Sequence, residues 1–185
     1  MDLLSYLRTQ ARANRLANHR LHGVVGQLSD AALRAPRTSF FPSLAGTLEH
    51  IVAVDRYYLA ALHGEADMRS QWELAPKGVS AAALADAQRV ADERFIAHVV
   101  GLNAAALEDM VAMERAEGRV QRELRGHVLA HLLAHQMHHR GQVHAMLSGT
   151  ALKPPPLDEF LMPSEAHYRV AELQSLGWTE ATLFC

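Results

Sequence analysis

Four of the chain's twelve histidines, His131, His135, His138 and His139, fall within nine residues of the run His131-Leu132-Leu133-Ala134-His135-Gln136-Met137-His138-His139-Arg140-Gly141-Gln142. On a helix, His135 and His139 leave the same face about one turn apart, a spacing that suits two ligands of one metal ion. His131 and His135 have the same spacing and form the competing pair. One helix cannot supply all three: His131 and His139 lie ~12 Å apart along the axis, whereas each ligand nitrogen sits ~2 Å from the ion. A third ligand must come from elsewhere, and His50, in the middle of another strongly apolar segment, is the natural candidate. Taken alone, a histidine on an apolar face reads as a hydrogen-bonded core residue. The pair reads differently, because burying two neighbouring imidazoles without a shared partner costs desolvation twice. His19, His22, His63, His98 and His167 sit in polar or helix-end settings and have weaker claims.

Other chemistries are narrowed by what the chain lacks. Cys185 is the only cysteine, so a metal site must be built from His and carboxylates, and its terminal position makes it a poor nucleophile. A di-iron bundle needs Glu three residues before each His, and Thr47, Leu132 and Gln136 stand there instead. The residue after His135 is Gln136, so no His-Glu-x-x-His protease motif exists. A net charge of -2 and a pI near 6.6 give no footprint for a phosphate backbone, which excludes nucleic acid as a partner. Arg8, Arg12 and Arg15 interrupt any signal-like apolar core, and no run reaches the ~18 apolar residues of a membrane span, so a cytoplasmic protein is expected.

The elements that must position these residues follow from periodicity. With 185 residues, 49% of them hydrophobic, the chain suits a single domain over residues 1–185. A first helix is expected from Asp2 to about Leu33, ending near Arg34-Ala35-Pro36. A second starts at Ser43 as N-cap and runs to Leu62 before Gly64; it is apolar around much of its circumference and carries His50. Gly64 to Lys77 reads as a connection. Ser80 precedes an alanine-rich third helix to about Val100. Between Asn103 and Arg125 the pair Glu117-Gly118 suggests a short hairpin, with helix as the alternative. The fourth helix runs from about Leu124 to Leu147, and Pro154-Pro155-Pro156, Pro163 and Gly177 leave an irregular tail with short helical pieces. The expectation is an all-α, up-down four-helix bundle with its metal site between facing helices.

On the fourth helix, Leu124, Val128, Leu132, His139, Gln142 and Met146 fall within about 60° of His135. This points His135 and His139 along the apolar stripe toward the core, with His138 at its flank, His127 further round and His144 opposite. Arg140 and Gln142 are either donors supporting the ligands or solvated residues. Asp55 is either a buried partner for Arg140 or a charge at the bundle edge.

The run His-Gln-Met-His-His-Arg-Gly-Gln at 135–142 resembles the signature of the DinB family, four-helix-bundle proteins that usually carry a three-histidine metal site. Ala13-Asn14-Arg15-Leu16, Thr47-Leu48-Glu49-His50-Ile51 with Asp55, the Gly118 turn and Pro155-Pro156-Leu157-Asp158 fall in the family's expected order. Ala134 departs from it, since many relatives have Asn there. The resemblance places the family's ligands on His50, His135 and His139, with one divalent ion such as zinc, nickel or iron. It implies thiol-dependent transferase or isomerase chemistry on a small-molecule substrate, with bacillithiol, mycothiol or glutathione as cosubstrate, and a homodimer. The alternatives are a metal-dependent hydrolase and a non-catalytic metal-binding or structural module.

Overall fold

A computed structural model describes residues 1–157 and 161–184; Asp158 and Cys185 lie outside the described residues. Helix α1 spans Leu3–Val25, with the Asp2 carboxylate accepting from the Ser5 N–H at 2.8 Å. The single first helix expected to reach Leu33 is in fact broken. It stops at Gly26, and α2 (Asp30–Arg34) begins afresh after Ser29, whose hydroxyl accepts from the Ala32 N–H. A glycine that stiffens poorly into helix, followed three residues on by a good N-cap, outweighs the continuing apolar period.

Helix α3 (Leu44–His63) is capped by Ser43 and ends on Gly64, whose φ of 68° is the left-handed conformation that closes helices. The stretch expected to be a plain connection contains α4 (Met68–Glu73), held down by the buried Met68. Helix α5 (Ala81–Val100) follows the Ser80 cap. Strands β1 (Met110–Glu114) and β2 (Val120–Leu124) pair antiparallel, with Met110 opposite Leu124 and Glu114 opposite Val120. Their turn places Glu117 and Gly118 at φ 61° and 71°, while Val111 and Met113 point into the core. Helix α6 (Arg125–Leu147) leads directly out of β2. Two short helices, α7 (Val170–Ser175) and α8 (Glu180–Phe184), pack on α1, where the fully buried Arg169 pairs with Glu180 at 2.6 Å.

The described residues are thus mostly helical with one two-stranded sheet. Helix α1 packs against α5 and α6, and α3 against α5 and α6. Two apolar clusters fill the space between them. One gathers Leu7, Tyr57, Leu62, Phe95, Met113, Leu129 and Leu132; the other gathers Leu21, Leu44, Ile51, Leu84, Val143 and Leu147. Each fully buried aliphatic side chain stabilises by roughly 1.5–3 kcal/mol. Along α1, α5 and α6 the residues between the clusters are polar yet buried: Asn14 and Asn18, Gln88 and Asp92, Gln136 and Arg140. Asp55 of α3 joins them, so a polar layer divides the core at one level of the molecule.

Candidate metal centre

The buried face of α6 takes in Val128, Leu132, His139 and Met146, all on the stripe expected from the wheel, and extends further round the helix through Leu129, Leu133, Gln136, Arg140, Val143 and Leu147. Gln136 and Arg140 find hydrogen-bonding partners inside, which widens the buried face beyond its apolar residues. His135 and His139 stand toward one edge of that face, His135 half-buried and His139 buried. There they meet His50 of α3. One nitrogen of each ring lies within 4.8 Å of the others. His50 Nε2 and His135 Nε2 are 3.1 Å apart, close to the ~3.3 Å that two nitrogens at ~2.05 Å from a tetrahedral ion would have. His131 is exposed, its ring 6.3 Å from that of His135, and it does not join the group.

The electrostatics favour lone pairs over protons. Burial, reinforced by the neighbouring His139, pushes His50 down to about 4. Burial and then His139, His50, His131 and His138 push His135 down to about 3. His139 is also lowered by burial, opposed by its bond to Gln142. Three neutral imidazoles are the form that ligates a cation. His139 Nδ1 donates to Gln142 Oε1 at 2.7 Å, which leaves Nε2 free, and Gln142 Nε2 donates to His138 Nε2 at 3.1 Å. Such a partner on the far nitrogen fixes tautomer and ring orientation. Phe41 stacks on His50 with ring centroids 4.3 Å apart, and Trp72 meets it edge-on at 5.7 Å. His135 Nδ1 is buried without a partner among the described residues, so packing alone orients that ring.

Behind the histidines lies the polar layer. Gln136 donates to Asp55, and Gln88 Nε2 reaches Asp55 at 2.7 Å and Asp92 at 3.1 Å. Asn14 and Asn18 donate to Asp92 at 3.0 and 2.9 Å. Arg140 donates to Asn14, to Asn18 at 3.3 Å and to Gln136 at 3.2 Å. Asp55 is therefore a buried partner of Arg140, bridged to it by Gln136, and not a charge at the bundle edge. Burial pushes Asp55 up to about 7 and Asp92 to about 6, and Arg140 down to about 10. The network locks the rotation of α6 and so holds the two histidines toward α3. Sequence reasoning named Asp55, Gln136 and Arg140 but not Gln88 or Asp92, whose only signal was polarity inside an alanine-rich stripe.

In front of the histidines opens a cavity of about 470 Å³, lined also by Tyr57, Tyr58, Trp72, Arg115 and His131. Its size and largely aromatic wall fit a small organic molecule. The profile of the DinB family matches residues 5–172. The chain belongs to the DinB family. The crystal structure of a DinB-like protein from Bacillus cereus superposes with a TM-score of 0.56 at 21% identity, covering 76% of this chain and 89% of that one. At that identity the two share a DinB fold. No match is found among curated proteins. No helix among the described residues is long and apolar enough to cross a membrane.

Proposed function

We propose that His50, His135 and His139 hold one divalent ion, zinc, nickel or iron, and that this DinB protein is a metal-dependent enzyme joining a low-molecular-weight thiol to a small electrophile. The observation that carries the reading is three imidazoles converging beside an open cavity, with no fourth His, Cys, Asp or Glu in the group among the described residues. A structural site would be closed by a fourth protein ligand. The pairwise contacts of α1, α3, α5 and α6 support an up-down four-helix bundle with the centre between α3 and α6.

An ion with three neutral ligands keeps its full charge and, when bound, favours ionisation of a thiol or water at its open position near pH 7. The chain's own residues prepare that position. Gln142 keeps the His139 proton on Nδ1, Phe41 and Trp72 fix the His50 ring and exclude water from its flanks, and the polar layer holds α6 in register. Cobalt-substituted protein titrated with a small thiol should develop a thiolate-to-cobalt charge-transfer band that His139→Ala abolishes, and the metal-loaded protein should accelerate conjugation to a model electrophile. If bacillithiol, mycothiol and glutathione all leave the spectrum of cobalt-loaded protein unchanged, the thiol chemistry is wrong.

A further inference from the structure

Arg115 follows directly on β1, and its side chain lies on the wall of the cavity that holds the three histidines. Every partner it has is neutral. Nε donates to Gln121 Oε1 at 2.9 Å, and Nη2 approaches the Tyr58 hydroxyl at 3.4 Å and Met113 Sδ at 3.8 Å. The guanidinium carbon lies 5.6 and 5.7 Å from the Tyr57 and Tyr58 ring centres. Arg34, Arg89, Arg94, Arg125 and Arg169 each have a carboxylate within 4 Å; Arg115 has none among the described residues. A half-buried guanidinium is thus clamped in a fixed orientation by two tyrosines and a glutamine.

From the histidines a line of rings leads to it. His131 lies 6.3 Å from His135, and Tyr58 lies 5.1 Å from His131. Glu73 and Glu114 line the same cavity and balance the charge of Arg115 and the exposed Arg69. The cavity is therefore no general anion trap, and an anionic group gains only where it meets the fork of Arg115. A planar guanidinium matches a planar carboxylate through paired, charge-assisted hydrogen bonds. Its orientation is already fixed, so little side-chain freedom is lost on binding.

We propose that Arg115 is the receptor for a carboxylate on the ligand that reaches the histidine centre, so that the cavity selects small molecules with a metal-binding group at one end and a carboxylate at the other. The proposal rests on the reading of His50, His135 and His139 as a metal centre. The hairpin then has a task in recognition: its first strand delivers Arg115 to the cavity and its second, through Gln121, holds the guanidinium in place.

The test uses cobalt-loaded full-length protein and two ligand series read by the cobalt spectrum: ω-mercaptoalkanoates against the corresponding mercaptoalkanols, and ω-carboxyalkyl hydroxamates against their methyl-ended counterparts. At one chain length the carboxylate should tighten binding at least about tenfold in the native protein. In Arg115→Gln, with cobalt stoichiometry unchanged, that preference should fall to about twofold or less. Equal affinity of carboxylate and neutral ligands at every length in the native protein, which requires no variant, overturns the proposal; so does a preference that survives Arg115→Gln. If thiols leave the spectrum unchanged while hydroxamates show the Arg115-dependent preference, the carboxylate site stands and the thiol chemistry falls. Indifference of the cobalt to both series overturns both.

Discussion

His135 and His139 were legible because a four-residue spacing on a helix has one geometric meaning. His50 was legible only through its apolar neighbours, and Arg115 not at all, since nothing local tells a surface arginine from one carried into a cavity by a hairpin. Asp55 shows the limit at this scale: its burial was one of two expectations, but its link to Arg140 through Gln136 needed α3 and α6 in register. Its titration has a definite sign. Burial holds the folded carboxyl at about 7, above the ordinary 3.8, so the folded state binds more protons than the unfolded one between these values. The stability this group contributes is full below pH 3.8 and is lost as pH rises through about 7. His22 and His98, lowered by burial to about 4, act oppositely and lose their contribution as pH falls from 6.5 toward 4. Asp55→Asn, which mimics the protonated form, should therefore gain on the native protein between pH 5 and 8 by at least about 1 kcal/mol. Urea unfolding of both metal-free proteins measures it, and a constant difference across that range would refute the assignment.

At the scale of elements, the starts of α3 and α5 were readable because a serine cap, Ser43 or Ser80, preceded a sustained apolar run. The end of α1 was misjudged because Leu28 and Leu33 keep the apolar period going past a break set by Gly26 and the Ser29 cap. The wheel placed Val128, Leu132, His139 and Met146 on the buried side of α6, but the burial of Gln136 and Arg140 beside them depends on Asn14, Asn18 and Asp55, which receive them from α1 and α3. The layer also sets an energetic expectation. Arg140→Met would leave Asp55 and Asp92 buried without the guanidinium that offsets their charge. At pH 8, where both carboxyls are ionised, the loss should be roughly 3–5 kcal/mol in urea unfolding. At pH 5, where both are largely protonated, it should be markedly smaller. Equal losses at the two pH values would mean that the arginine acts by packing alone.

Across the whole molecule, the polar layer between the two apolar clusters lies at the level where His50, His135 and His139 meet, so one device both divides the core and backs the candidate site. Composition and periodicity reveal that helices pack on one another. They do not reveal that a buried network sits behind the histidines and an aromatic cavity in front, because both are assembled from residues far apart in the chain. The central claim is that one ion is held by two histidines of α6 and one of α3, and metal titration of untagged protein tests it most directly. The native chain should bind one divalent ion, His50→Ala should weaken binding by about 100-fold or more, and His131→Ala should leave it within about threefold. Comparable losses in the two variants, or full occupancy in a His135→Ala/His139→Ala double variant, would contradict the account.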